Sequence, residues 1–147
     1  MVHHFDHVTV VVRDVDRAVK FFGLLGFVED KNVVISGQTF AAYMNVPGIE
    51  AQHVTLVLAG ATPRLEVQLL HYRNPAPLPD PNITNLAKLG FNHVCFAVDD
   101  VAAEVARLEA AGVKRRGAIL DFHARKLVFL EGPEGVTVEL AEWHAPR

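Results

Sequence analysis

His7-Val8-Thr9-Val10-Val11-Val12 runs into Asp14-Val15, Val19 and Gly26-Phe27. The pattern returns as His93-Val94-Cys95-Phe96-Ala97-Val98, Asp100-Val101, Val105 and Gly112-Val113. One constant offset of 86 residues superimposes histidine on histidine, Val8 on Val94, Val12 on Val98, Asp14 on Asp100, Val15 on Val101, Val19 on Val105 and Gly26 on Gly112, with Phe5 on Phe91. Self-similarity at a fixed separation marks a duplicated supersecondary unit. A core position can drift among apolar types, so a duplicated strand histidine points to a need for imidazole itself.

Working outward, Phe5 to Val12 is β-branched and bounded by Arg13-Asp14, which predicts a strand. Asp14 is placed to cap a helix whose apolar stripe is Val15, Ala18, Val19, Phe22 and Leu25, ending at Gly26. The second copy predicts a strand over 92–98, a cap at Asp99 or Asp100, a stripe of Val101, Val105 and Leu108, and a stop at Gly112. Strands are further expected over 27–36, 52–58 and 65–72, and then over 113–120, 126–130 and 136–142. The stretch 37–46 is ambiguous, and Pro47-Gly48 breaks it. Asn74-Pro75-Ala76-Pro77-Leu78-Pro79-Asp80-Pro81 is linker-like and falls between the copies. The organisation expected is one domain over 1–147, with a module 1–73, a module 91–147 and a Pro-rich crossover 74–90.

At 147 residues the chain can bury a real core in one domain. Half of it is hydrophobic and 21% is charged, which is globular composition. A net charge of −3 without a basic cluster argues against nucleic acid as a partner. The single cysteine, Cys95, excludes an internal disulfide. Met1 to Asp6 lacks a basic region leading into a long apolar run, and no apolar stretch is long enough to span a membrane. A soluble, cytoplasmic protein is the expectation.

Alternation along each strand decides which side chains share a face. His7, Thr9 and Val11 share one side of the first strand, and His93, Cys95 and Ala97 share one side of its copy. The opposite, wholly apolar faces should meet the helices. In the last strand Val136, Val138 and Leu140 alternate with Thr137 and Glu139. In the earlier module Glu66 and Gln68 alternate with Val67 and Leu69, so Val67-Gln68-Leu69 answers to Val138-Glu139-Leu140. Each copy thus offers one histidine and one oxygen donor. Two imidazoles and two oxygens suit an octahedral divalent ion with two positions left for waters or a bidentate substrate.

Four features together carry a resemblance. They are His7 after Phe5-Asp6, the helix end Leu25-Gly26-Phe27, the run Gly90-Phe91-Asn92-His93-Val94, and Gly132-Pro133-Glu134-Gly135-Val136-Thr137-Val138-Glu139-Leu140. The chain resembles the vicinal oxygen chelate superfamily over nearly its whole length. That group includes glyoxalase I, methylmalonyl-CoA epimerase, extradiol dioxygenases, and fosfomycin and bleomycin resistance proteins. The resemblance implies an α+β fold of two βαβββ modules forming a curled mixed sheet around a metal cup. Its ligand positions fall on His7, Gln68, His93 and Glu139. Glu131-Gly132-Pro133-Glu134-Gly135 departs from the family's frequent Asp-Pro-Asp-Gly, at a turn and away from the ligands.

The resemblance also implies one divalent ion (Zn, Ni, Co, Mn or Fe) and a small substrate with adjacent oxygens. It implies no organic cofactor, no nucleic acid or membrane partner, and a homodimer. A four-ligand set with a Gln looks like the isomerase, epimerase and lyase branch, closest to methylmalonyl-CoA epimerase. That chemistry is proton abstraction next to a chelated carbonyl, and Glu139 can double as the base. An Fe(II) extradiol dioxygenase would use only His7, His93 and Glu139 on a catechol. A metal-free, drug-sequestering protein of the bleomycin-resistance type would need no ligands at all. Glu66 lies on the Gln68 face and is the rival ligand. His53, His71, His123 and His144 have no repeat partner, so surface or substrate contacts are expected of them. Cys95 reads as a small lining residue rather than a nucleophile. Tyr43, Glu66, His123, Arg125 and Lys126 are further candidates to reach a substrate.

Overall fold

Each histidine stretch begins a four-stranded mixed sheet whose first strand runs parallel to its last. The structure, a computed structural model, describes residues 1–145, so the last two residues of the second expected module lie outside the described residues. The chain divides into two compact units, 1–79 and 80–147.

Unit 1 runs β1 (His7–Val11), α1 (Val15–Leu24), β2 (Phe27–Ser36), α2 (Gln38–Met44), β3 (Glu50–Leu58) and β4 (Glu66–Asn74). Unit 2 runs β5 (Val94–Ala97), α3 (Val101–Ala110), β6 (Arg115–Phe122), β7 (Arg125–Glu131) and β8 (Thr137–Trp143), with a 3₁₀ turn at Pro133–Gly135. The sheet orders are β1-β4-β3-β2 and β5-β8-β7-β6. The fold is therefore α+β and is built twice on one plan. In each unit the helix returns the chain to start the far edge of its sheet, and two antiparallel connections bring it back beside the first strand. α2 is an insertion that unit 2 lacks.

Both main helices start and stop in the same way. Asp14 accepts from the Arg17 N–H and Asp100 from the Ala103 N–H, each satisfying a donor left open at a helix start. Gly26 and Gly112 follow the helix ends with φ of +92° and +90°, a left-handed turn where a Cβ is costly. The ambiguous stretch resolves into α2. This helix has no side-chain cap, buries no residue, and ends on Asn45 in the left-handed region.

The apolar faces meet the helices within each unit. In unit 1, Val10, Val12, Val54, Leu56, Val67 and Leu69 are buried together with Ala18, Phe21 and Phe22 of α1. Phe22 packs edge-on against Phe21 and Phe27, with ring centroids 5.2 and 5.9 Å away. Such aromatic pairs contribute about 0.5–1.5 kcal/mol beyond area burial. In unit 2, Val101, Val105 and Leu108 of α3 are buried with Val128, Leu130, Val138 and Leu140. His7, Thr9 and Val11 face away from α1 and are exposed. β8 is buried on both faces. Its polar-patterned face is covered too, so Thr137 and Glu139 are buried along with Val138 and Leu140. β6 is irregular between Arg116 and Leu120, as β2 is bulged between Glu29 and Lys31.

Candidate metal half-sites

Strand register settles which residues correspond between the units. Val8 lies opposite Val67 and Thr9 opposite Gln68 in the β1–β4 pair. Val94 lies opposite Val138 and Cys95 opposite Glu139 in the β5–β8 pair. Thr9 and Cys95 are repeat partners, so Gln68 is the structural counterpart of Glu139. Glu66, one pleat earlier, corresponds to Thr137.

In unit 1, His7 is the first residue of β1 and sits opposite Glu66. Its Nδ1 lies 2.6 Å from Asp6 Oδ2. That contact with His7 is the main reason the Asp6 carboxyl is held below its ordinary value. An ionised carboxylate can only accept, so Nδ1 carries the hydrogen and Nε2 presents the lone pair. Gln68 is half-buried. Its Nε2 donates to Glu66 Oε2 at 2.9 Å, and its Oε1 stands 3.1 Å from His53 Nε2. The Gln68 amide and then Arg64 hold the Glu66 carboxyl below its ordinary range.

In unit 2, His93 precedes β5 by one residue instead of lying inside it. Its Nδ1 lies 2.7 Å from Asn92 Oδ1, and Asn92 Nδ2 donates to the Leu86 carbonyl. With the amide nitrogen engaged at Leu86, the oxygen faces the ring, and again Nδ1 carries the hydrogen. His93 Nε2 is 3.2 Å from Glu139 Oε2, and the ring stands edge-on to Phe129 at 5.2 Å. Glu139 is only 8% exposed. A carboxylate this far out of water requires a positive partner. Cys95 reaches solvent, yet desolvation by its surroundings, followed by the hydrogen bond and charge of Glu139, pushes its thiol up to about 12. A thiol so reluctant to ionise is no nucleophile at neutral pH.

Other candidates are engaged elsewhere. His71 Nδ1 bonds the Val12 carbonyl at 3.1 Å, tying β4 to the end of β1. His144 pairs with Asp121 at 3.1 Å. His123 occupies the β6–β7 turn with φ +54° and its ring against Phe122. Lys126 pairs with Glu142 at 3.0 Å, and the Arg125 guanidinium lies 4.9 Å from the Trp143 ring centroid. Tyr43 is exposed on α2.

Asp6, Asn92 and His53 are the contributors that the residue pattern did not single out. The first two fall on each other at the repeat offset, which is the signal that could have found them. His53 has no such signal. It reaches Gln68 because Thr55 is the Cα partner of Gln68, which leaves His53 as its diagonal neighbour.

Among the described residues no three His, Cys, Asp or Glu side chains form a ready-made cage. Each unit instead supplies one imidazole whose Nδ1 is engaged by a neighbouring side chain, and one oxygen donor from the adjoining strand. This donor chemistry fits a divalent ion of the first transition row. The outer Asp6 and Asn92 are the kind of partner that orients ligating histidines.

A doubled β-α-β plan with one histidine and one oxygen donor per unit defines a class of paired-module proteins. The profile of the Glyoxalase/Bleomycin resistance protein/Dioxygenase superfamily matches residues 6–129, and the chain belongs to that superfamily. An ethylmalonyl-CoA/methylmalonyl-CoA epimerase of Cereibacter sphaeroides is 25% identical over 97% of this chain and 99% of its own length. A Saccharomyces cerevisiae glyoxalase I is 31% identical over 50% of this chain, and a Schizosaccharomyces pombe lactoylglutathione lyase is 24% identical over 94% of it. The chain spans only 24% and 44% of those two yeast proteins. A Bacillus cereus glyoxalase family protein superposes with a TM-score of 0.87 at 22% identity, over 99% of this chain and 97% of that one. A Listeria monocytogenes fosfomycin resistance protein, in complex with Mn(II) and sulfate, superposes at 0.62 with 16% identity, over 97% of this chain and 93% of its own.

Proposed function

We propose that the protein is a metal-dependent isomerase, epimerase or lyase of the glyoxalase type. It takes a proton from the carbon next to a carbonyl of a small substrate with adjacent oxygens. The observation that carries this reading is the matched register of Gln68 and Glu139, each on the strand paired with the one that a repeat histidine leads into. Residues 1–147 act as one domain in this reading. His7, Gln68, His93 and Glu139 hold one divalent ion, which supplies Lewis acidity to two chelating oxygens when bound.

The chain's own groups do the rest. Asp6 and Asn92 hold the two imidazoles in the tautomer that offers Nε2. Glu139 receives the α-proton, and Phe129 and the buried face of β8 keep water from that carboxylate. General base help of this kind is worth about 10²–10⁴-fold. The epimerase among the relatives supports the assignment because it matches end to end.

Incubation with a divalent ion and candidate 2-hydroxy-ketones, hemithioacetals or 2-acyl thioesters in D₂O should place deuterium at the α-carbon without consuming O₂. The exchange should vanish in Glu139→Gln. Fe(II)-dependent ring cleavage of a catechol with O₂ uptake would overturn the reading in favour of a dioxygenase. Tight binding of an apolar drug by metal-free protein, with no turnover, would overturn it in favour of sequestration.

A further inference from the structure

Unit 1 carries a line of polar contacts whose direction is set by chemistry. Arg64 Nη2 donates to Asp30 Oδ2 at 2.8 Å, and Arg64 Nε donates to Glu66 Oε1 at 2.6 Å. Gln68 Nε2 donates to Glu66 Oε2 at 2.9 Å, and Gln68 Oε1 faces His53 Nε2 at 3.1 Å. A guanidinium only donates and a carboxylate only accepts. The end of Gln68 that meets Glu66 therefore has to be its NH₂ group. Its oxygen is then the atom that meets His53, so His53 Nε2 carries the hydrogen and Nδ1 the lone pair. Left alone, a glutamine amide has two ends of nearly equal size, and one of them would present hydrogens to a cation.

We propose that Glu66, anchored by Arg64, is the positioning residue that gives the Gln68 amide its polarity, so that Oε1 is the atom available to a divalent cation. The proposal rests on the reading of Gln68 as a ligand. An amide oxygen has two acceptor positions. His53 uses one and leaves the other. Unit 2 supplies an internal comparison. Its oxygen donor, Glu139, accepts at both ends and needs no orienting. The position matching Glu66 is held there by Thr137, whose hydroxyl accepts from Arg116 instead.

The test is the isosteric Glu66→Gln in the full-length chain. The new amide turns its oxygen to Arg64, because a charged donor is the stronger partner. Its NH₂ then faces Gln68, which flips, and His53 switches from the Nε2–H to the Nδ1–H tautomer. Two-bond ¹H–¹⁵N spectra of the metal-free protein read that switch directly. Co(II) affinity by equilibrium dialysis should fall about tenfold or more.

Gln68→Ala separates the two layers of the argument. If it binds Co(II) as tightly as the parent, the reading of Gln68 as a ligand falls, and the His53 tautomer alone still decides the relay. If Gln68→Ala weakens Co(II) while Glu66→Gln keeps the parent's tautomer and affinity, Glu66 is only a surface ion-pair partner and the proposal is overturned.

Discussion

Asn92 donates to the Leu86 carbonyl through Nδ2, which leaves Oδ1 for His93 Nδ1. It thereby turns a flexible imidazole into one with a chosen nitrogen. Asn92→Leu keeps the size of the side chain and removes the acceptor. We expect Co(II) affinity to fall about 10–100-fold, the usual cost of losing a partner behind a ligating histidine. Equilibrium dialysis at fixed pH checks this, and parent-like affinity would remove Asn92 from the site. At this scale the sequence was informative where strand alternation applies. His7, Gln68, His93 and Glu139 could be put forward as ligands because the repeat offset, a two-residue period and the family resemblance fall on the same positions. Asp6 and Asn92 lie just outside the strands, where no period operates, and their role depends on a short side chain curling back onto the next ring. The contact between Gln68 and His53 needed a register that only hairpin geometry supplies.

Glu142, near the end of β8, binds the start of α3. Its carboxylate accepts from the Val101 N–H at 2.9 Å and from Lys126 at 3.0 Å. The backbone hydrogen bond first, then Lys126, hold its acid form below the ordinary 4.5. A carboxyl whose folded value is depressed stabilises fully above its unfolded value, and the benefit is lost as pH falls through the folded one. Thermal melts of Glu142→Gln should therefore lie below the parent at neutral pH, with the gap closing as the pH drops beneath 4.5. A gap that persists in acid would assign the loss to packing. The two main helices were readable because each carries an aspartate cap, an apolar stripe and a stopping glycine. α2 was not, since seven residues with no cap and no buried face leave no pattern to read. The alternation of β8 says nothing of what lies over its polar-patterned side. Thr137 and Glu139 are buried because that face is covered, which a single strand cannot announce.

The longest edge strand, β2, is open along nearly all its ten residues and shows Val28, Val33 and Val34 at 60%, 44% and 49% exposure. Exposed edges with apolar side chains invite pairing with another chain. We expect a homodimer, and a concentration-independent monomer mass in sedimentation would contradict it. The division between the units, at 79 and 80, falls within the proline-rich stretch. The units also distribute negative charge differently. In the first, anions stand behind the donors, at Asp6 and Glu66, and the donor is neutral. In the second, the donor Glu139 is itself the anion, and a neutral amide stands behind the histidine. Because apolar faces fix the strand register, charges can move between front row and back row without disturbing the core. If the four residues hold the ion as proposed, descendants of such a duplicate can adjust their grip on a cation one charge at a time, on an old frame.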